Sequence, residues 1–413
     1  MDPTIISWMM AMSALATTVS TFFFGTLSDR RGQRRRLVAL GYILWGMFTI
    51  AFGLTQYITG GSVSATAKVV MVAAAAAVLA DTVMSFFGSM GNDSGFNAWL
   101  NDNITDHNRG QLGAAIAIQP VLGTIVGTFL GGILVGSDNN YMRLFLVMGS
   151  AVIAFGFIAL VFMKDAPTLV PNRTGTFSQQ FFSVFDFQRF FRMKELVWVN
   201  LSLSVYFIAF NMYFAHIGNY IIYYLGFTAK TMCFIEGISL VAAMLVVIPA
   251  TGLINRNKSP LLCGISTLLN FAGVLLLGLF VRPDSVNTES VFNLVLLLGV
   301  FFIGAGYILF LQAAIVWSKQ LYPQDSRGQF EGVRILFFVL IPMVIGPLLA
   351  NPIIKKSGQF VDEYGFTKYL PTHTLFLIAS VLVLLTFIPL YFARRYHNER
   401  IHGNMAPESG ANS

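Results

Sequence analysis

Charge is scarce in this chain. Only 11% of its 413 residues are Asp, Glu, Lys or Arg, against about one quarter in an ordinary soluble domain, which excludes a surface facing water on all sides. Cysteine is nearly missing as well: Cys233 and Cys263 each fall inside an apolar run, so neither a disulfide framework nor a CxxC metal site is on offer. The HExxH, GxSxG and GxxxxGKS/T patterns are absent, which removes the hydrolytic and phosphoryl-transfer chemistry they carry and any ATP-driven pump. Neither an enzyme, a cofactor nor a metal is expected. The formal charge of +7 would suit nucleic acid, but no basic patch lies on anything that reads as a soluble domain, so no nucleic-acid partner is expected either. A basic n-region is lacking too, Asp2 being the only early charge, which argues against a cleaved signal peptide.

What the chain does have is long apolar runs. It is 55% hydrophobic with a mean hydropathy of +0.69, and a helix needs about 20 apolar residues to cross the hydrocarbon core. Eleven segments qualify, at 4–27, 37–58, 69–92, 111–135, 143–163, 196–225, 231–254, 260–281, 290–318, 332–354 and 372–393. If the chain changes sides after each, with residues 28–36 inside, the inner side receives Arg30, Arg31, Arg34, Arg35, Arg36, Arg109, Lys164, Arg173, Arg189, Arg192, Lys194, Arg256, Lys258, Lys319, Arg327, Arg334, Arg394, Arg395 and Arg400. The outer side receives Lys68, Arg143, Lys230, Arg282, Lys355, Lys356 and Lys368, so the 26 basic residues divide nineteen to seven. A bias of this kind orients helices during insertion. It predicts a cytoplasmic C-terminus, an outer N-terminus and a multi-pass protein of the cell membrane.

The halves of the chain echo each other, as duplicated transporter folds do. Arg109-Gly110-Gln111 recurs as Arg327-Gly328-Gln329, and Gly127 finds a counterpart in Gly346. The expected class is therefore an all-α polytopic membrane helix bundle of two pseudo-symmetric halves. Its parts are an N-terminal half-bundle at 1–163, a linker at 164–195, a C-terminal half-bundle at 196–396 and a disordered tail at 397–413. Phenylalanines interleaved with Arg189, Arg192 and Lys194 make the linker either a helix lying among lipid headgroups or an irregular lead-in to the next span.

Between the first two runs stands Gly25-Thr26-Leu27-Ser28-Asp29-Arg30-Arg31-Gly32-Gln33-Arg34-Arg35. It resembles the signature that the major facilitator superfamily carries between its second and third helices. Gly25 allows close helix approach, Asp29 can pair with a nearby arginine or a facing helix N-terminus, Gly32 permits the reversal, and Arg30 and Arg34 anchor the link at headgroups. The resemblance implies that these residues form a latch between the halves. It also makes 4–27 the counterpart of helix two, leaves helix one without a counterpart, and aligns the remaining spans with helices three to twelve. Within the superfamily the chain looks most like the glycoside-pentoside-hexuronide cation symporters. Asp93-Ser94-Gly95-Phe96-Asn97-Ala98-Trp99-Leu100 is similar to a stretch holding a sugar-binding acid there, and Arg327 to Arg334 resembles the loop before helix eleven. That family's paired cation-binding acids fall at Thr17 and Thr21, which cannot ionise, so a proton is expected as coupling ion rather than sodium. Drug exporters of the superfamily offer a second comparison through Gly123 to Gly132, although Thr128 replaces their proline.

An ionisable group at the centre of a span costs about 2.5 to 3.5 kcal/mol and marks a pathway by default. Asp81, about 20 Å along its helix from Lys68, is the clearest case; a structural acid held by neighbouring hydroxyls is the alternative. Asp93 and Asn97 follow nearer the inner end, and Glu236 sits in the outer third of its span. Tyr206, Asn211, Tyr213, His216 and Asn219 offer aromatic faces and amides suited to sugars, with Gln119 and Gln312 adding amides from other spans, unless these groups serve only as glue between helices. The expected function is secondary active transport by alternating access, with proton-coupled uptake of a small polar solute such as a sugar or glycoside. An exporter of amphiphilic compounds is the runner-up, and a non-transporting membrane sensor or scaffold the third possibility.

Overall fold

A computed structural model of the chain describes residues 3–59, 67–103, 109–135, 140–167, 169–171, 175–183, 187–254, 258–322, 327–361 and 367–401. With no water in the bilayer core to satisfy backbone N–H and C=O groups, apolar runs of this length must become helices. The first half contains α1 (Pro3–Arg31), α2 (Arg35–Leu54), α3 (Ala67–Gly91), α4 (Asn97–Asp102), α5 (Arg109–Val135) and α6 (Tyr141–Phe162). Two short helices follow, α7 (Phe177–Ser183) and α8 (Phe187–Arg192). Then come α9 (Lys194–Asn219), α10 (Ala229–Ile254), α11 (Ser259–Phe280), α12 (Leu294–Gln320), α13 (Arg327–Ile335), α14 (Ile341–Ser357), α15 (His373–Leu384) and α16 (Phe387–Ile401).

Ten helical stretches among the described residues are long and apolar enough to span a bilayer, and α5 adds a shorter apolar segment at Leu122–Val135. This is the expected all-α membrane bundle. One small addition is a hairpin in which Gln359–Val361 pairs antiparallel with Thr367–Tyr369. The last helix runs on to Ile401, past the expected start of a disordered tail at 397, and residues 402–413 lie outside the described ones.

Three spans carry a π-helical turn: Asn92–Phe96 joins α3 to α4, Tyr220–Tyr224 prolongs α9, and Leu336–Leu340 joins α13 to α14. Such turns break the regular ladder and recur at functional sites. One of them frees the Phe337 carbonyl, which accepts a hydrogen bond from Ser204 of α9 at 2.6 Å.

Small residues set the tightest crossings, as expected where lipid supplies no hydrophobic drive for helices to associate. Gly41 of α2 abuts Gly91 of α3, and Gly156 of α6 lies against the Ala39 carbonyl of α2. On the other side Gly273 of α11 faces Gly299 of α12, and Gly306 of α12 faces Asn270 of α11. Thus α1, α2, α3 and α6 pack on one another, as do α9, α11, α12, α15 and α16, with α10 against α12.

The principal contacts that join these groups are α1 with α14, α5 with α10, and α1 with the Leu336–Leu340 turn. At that seam Ser7 lies 3.0 Å from the Asn351 amide oxygen, and Phe129 meets Phe234 edge-on at 5.6 Å. Both contacts sit at the end of the bundle opposite the arginine-rich link, because Ser7 opens α1 whereas Arg31 closes it.

Candidate functional site

The arginine-rich link at the basic end is built around one side chain. Arg34 is buried, and its guanidinium donates to three oxygens: Nε to Asp102 at 2.8 Å, Nη1 to Ser28 Oγ at 2.7 Å and Nη2 to Asp29 at 2.6 Å. Burial works against its charge, but Asp29 and Asp102 outweigh that and raise its pKa. Gly32 makes the turn possible with φ of +60°, its N–H donating to the Ser28 carbonyl at 2.9 Å. Asp165 then accepts the Arg34 and Arg35 backbone N–H groups at 2.8 Å each, satisfying the start of α2 from a distant loop. Arg30 reaches the other way, to the Gly175 carbonyl and the Gln180 amide, both at 3.0 Å, so it ties α1 to α7. Gly25 sits near Ser94 of the first π turn. Among the described residues these bonds lie within the first group of helices and the connection after it. Asp102 and Asp165 are the partners that sequence reasoning missed, since a lone loop aspartate carries no signal of its own.

A polar stripe runs along α1 and α3 between the link and the opposite end. The Ser13 hydroxyl donates to the Asp81 carboxylate. Farther along, the Thr21 and Ser89 hydroxyls lie 2.6 Å apart, and both bond the Thr17 carbonyl, at 2.8 and 3.0 Å. Asp93 follows in the first π turn, with a hydrogen bond from the Asn92 amide at 3.1 Å and another from Ser89. Thr17 and Thr21, the positions that lack cation-binding acids, therefore sit in a hydroxyl ladder whose two ends carry acids, Asp81 from α3 and Asp93 from the π turn that follows it.

The remaining candidates are more scattered. Asn97 and Gln119 are exposed, on α4 and α5. Tyr206 is sealed inside the second group of helices, stacked on Phe310 at 3.8 Å with its hydroxyl accepting from Asn270 at 3.0 Å. Tyr213 shares that asparagine. Asn211 donates to the Phe207 carbonyl one turn back at 2.8 Å, and its Cβ packs beside Gly346. His216 is buried, and its Nε2 has no hydrogen-bond partner among the described residues. Glu236, half-buried on α10, stands next to Gly237, which packs on Phe129 across the seam; Gln312 is half-buried on α12. No hydrogen bond or ion pair among the described residues joins Asp81 or Asp93 to Tyr206, Asn211, His216, Glu236 or Gln312. No group of three or more His, Cys, Asp or Glu side chains that could hold a metal occurs among the described residues.

Comparison with known proteins accounts for a helical bundle with a basic link, a seam and intramembrane acids. A profile of the major facilitator superfamily matches residues 1–286. The chain belongs to that superfamily. It is accordingly a membrane transporter, not an enzyme. The fold is similar to that of a D-xylose-proton symporter, with a TM-score of 0.68 at 14% identity over 94% of this chain and 87% of the symporter. It is also similar to the nucleoside transporter NupG, with a TM-score of 0.58 at 12% identity over 94% of this chain and 98% of NupG. No curated protein sequence matches significantly.

Proposed function

We propose that this chain takes up a small polar solute, a sugar, glycoside or nucleoside, together with a proton, by alternating access across the cell membrane with its C-terminus in the cytoplasm. Half-bundles at 1–163 and 196–396 rock about the seam, joined by the 164–195 linker, and the Gly25, Asp29, Arg30, Gly32 and Arg34 link acts as the latch on the inner side. Asp93 and Asn97 contribute from the inner end of α3 and α4, with Asn211, His216, Glu236, Gln119 and Gln312 lining the route from the other helices. The resemblance of residues 93–100 and 327–334 to glycoside-pentoside-hexuronide symporters favours the uptake direction.

One observation carries this reading: Asp81, a carboxyl near the middle of a span, has a serine hydroxyl rather than a cation as its described partner. A carboxyl so placed is costly as a fixed charge and useful as a group that gains and loses a proton. The likeness to a D-xylose-proton symporter and to a nucleoside transporter supports the same class of solute. The test is uptake into proteoliposomes of radiolabelled D-xylose and uridine under an imposed proton gradient. Concentrative uptake that collapses with the gradient and disappears in Asp81→Asn is expected. Gradient-driven uptake that Asp81→Asn leaves at full rate with unchanged pH dependence would refute it.

A further inference from the structure

Three aromatic rings of the second group of helices stand face to face. Phe210 of α9 lies on Tyr307 of α12 at 4.8 Å with 20° between the planes, and Phe214 lies on Phe210 at 4.6 Å and 22°. Phe210 and Tyr307 sit halfway along their spans, Lys194–Tyr224 and Leu294–Gln320, the depth at which secondary transporters hold their solutes. Phe207 braces the column edge-on, with Phe210 at 5.9 Å, Tyr307 at 6.0 Å and Phe338 of the Leu336–Leu340 turn at 4.7 Å. Phe210, in the middle, is 6% exposed, whereas Phe214 is 51% exposed. The Phe214 end of the column is therefore open. Residues 207, 210, 214 and 218 recur at helical spacing and share one face of α9. The turn beside Phe207 packs on α1, and Met232 of α10, the helix that meets α5, brings its sulfur within 3.6 Å of where a Gly218 side chain would begin. Elements that touch the first group thus bracket this face at both ends, and the open ring looks into the space between the two groups rather than into lipid.

We infer that the open face of Phe214 is a stacking platform for a nucleobase, and that the solute is accordingly a nucleoside rather than a free sugar. The inference rests on the transport reading above and narrows its solute. A column of parallel rings ending on a bare face is extended by another flat π system, because aromatic pairs favour offset stacking and every base offers such a face. The surroundings suit a base better than a sugar. Phe207, Phe210, Phe214 and Phe338 carry no hydrogen-bonding side-chain group, so a sugar laid against them would bury hydroxyls without partners. A base keeps its faces apolar and puts its polar atoms at the ring edge. For that edge the same stretch of α9 supplies Asn211, half-buried, whose amide nitrogen donates to the Phe207 carbonyl at 2.8 Å and whose oxygen accepts no hydrogen bond among the described residues. Such an amide pairs readily with the edge of a base. Tyr206 and Tyr213, by contrast, are bonded to Asn270 and sealed from any solute, so the rings that meet it are not the tyrosines expected from the sequence.

The test is equilibrium binding to the purified full-length protein in detergent, with no gradient imposed. The probe is aminopurine riboside, a fluorescent adenosine analogue whose emission is quenched when its base stacks on an aromatic ring, with unlabelled uridine, adenosine and D-xylose as competitors. Quenching on binding is expected, with displacement by uridine and adenosine but not by D-xylose. Phe214→Leu, which keeps an apolar side chain without a ring, should abolish the quenching and weaken nucleoside binding about five- to hundredfold, the range that loss of one base–aromatic stack covers. Phe214→Tyr returns a ring and should recover both, which shows that the position tolerates exchange. Undetectable or unquenched binding of the riboside, equal displacement by D-xylose, or parental binding and quenching in Phe214→Leu would overturn the inference. The two readings fail separately. Nucleoside binding that needs the Phe214 ring but is accompanied by no gradient-driven uptake leaves the platform standing and removes the carrier, whereas Asp81-dependent, proton-driven uptake of D-xylose by a protein that binds no nucleoside does the reverse.

Discussion

Arg34 and Asp102, joined at 2.8 Å, are 68 positions apart, and the same offset of 68 separates Ser13 from Asp81 and Thr21 from Ser89. Two of these bonds share the offset because α1 and α3 run in the same direction with α2 returning between them, and two helices with equal rise stay in register over several turns; Arg34, just before α2, and Asp102, at the end of α4, fall at the same offset beyond those helices. Ser13, Thr17 and Thr21 recur every four residues, which puts them on one face of α1. The α3 partners recur in step.

That register can be checked directly. Thr17 and Ser85 are also 68 apart and lie midway between two of the observed bonds. A Thr17→Cys, Ser85→Cys pair should form a disulfide under mild oxidation, detected by mass spectrometry. The pair Thr17→Cys, Phe87→Cys, displaced by about 200° around α3, should not. Equal yields from the two would mean that the stripe is not held in register.

The Arg34 hub should matter more through Asp102 than through Asp29. The Asp29 side chain is 56% exposed and the Asp102 side chain 24%, and an exposed ion pair contributes about 0–1 kcal/mol. Arg34→Ala removes three charge-assisted bonds at once and should cost about 2–4 kcal/mol. Asp102→Asn should cost less than that, and Asp29→Asn under about 1 kcal/mol. Thermal unfolding in detergent, followed by tryptophan fluorescence, gives the order. Because the Arg34 pKa is raised, its charge is present throughout the physiological range and would be lost only at far higher pH. The melting point should therefore show no step from deprotonation of this group between about pH 5 and 9.

Helix positions were legible in the sequence because lipid leaves the backbone no other satisfied state. The run at 143–163 became Tyr141–Phe162, and the run at 290–318 became Leu294–Gln320. The interruptions were not legible. The π turn at Leu336–Leu340 uses the same apolar residues as the helices around it, the turn at Asn92–Phe96 is polar but continues the helix on either side without a proline, and the break between Leu384 and Phe387 carries no proline or glycine. Faces were harder still. Helix α9 is apolar on nearly every side, so periodicity could not tell that Tyr206 turns into the packed group toward Asn270 and Phe310. In the link, the charge rule accounts for a basic run without saying which arginine is buried. Arg34 is singled out by Asp102 and Asp165, aspartates 68 and 131 positions away.

Paired glycines offer a test of packing that the repeat alone would misjudge. The sequence echo matches Gly127 with Gly346, yet their surroundings differ. A methyl on Gly346 would meet the Ile208 carbonyl at 2.8 Å and the Asn211 Cβ at 2.9 Å, whereas nothing lies within 4 Å of the same position on Gly127. Gly346→Ala should push α14 away from α9 and cost about 1–3 kcal/mol. Gly127→Ala should be neutral or stabilise by up to about 1 kcal/mol, since it only removes backbone freedom from a helix. Melting temperatures of the two variants decide it, and a similar loss in both would show that α5 is packed at Gly127 after all.

The end of the chain provides the last prediction. Glu195, at the start of α9, accepts hydrogen bonds from Trp317 of α12 at 2.8 Å and from His397 of α16 at 3.0 Å. Arg400, also on α16, completes the set with Nε at 2.7 Å and a second nitrogen at 3.2 Å. Glu195, Trp317 and His397 are all buried, so removing a partner leaves a carboxylate shielded from water rather than returning it to solvent. The Arg400 side chain is 44% exposed, which weakens its share. Arg400→Ala should therefore cost about 1–2 kcal/mol, whereas Trp317→Phe, which removes a buried donor and leaves a small gap beside Glu195, should cost about 2–3 kcal/mol. Ending the chain at Tyr396 removes both His397 and Arg400 and should lower the melting point more than either substitution. If that shortened chain melts with the full-length protein, residues 397–401 contribute nothing to the fold and the expectation of an idle tail beginning at 397 was sound.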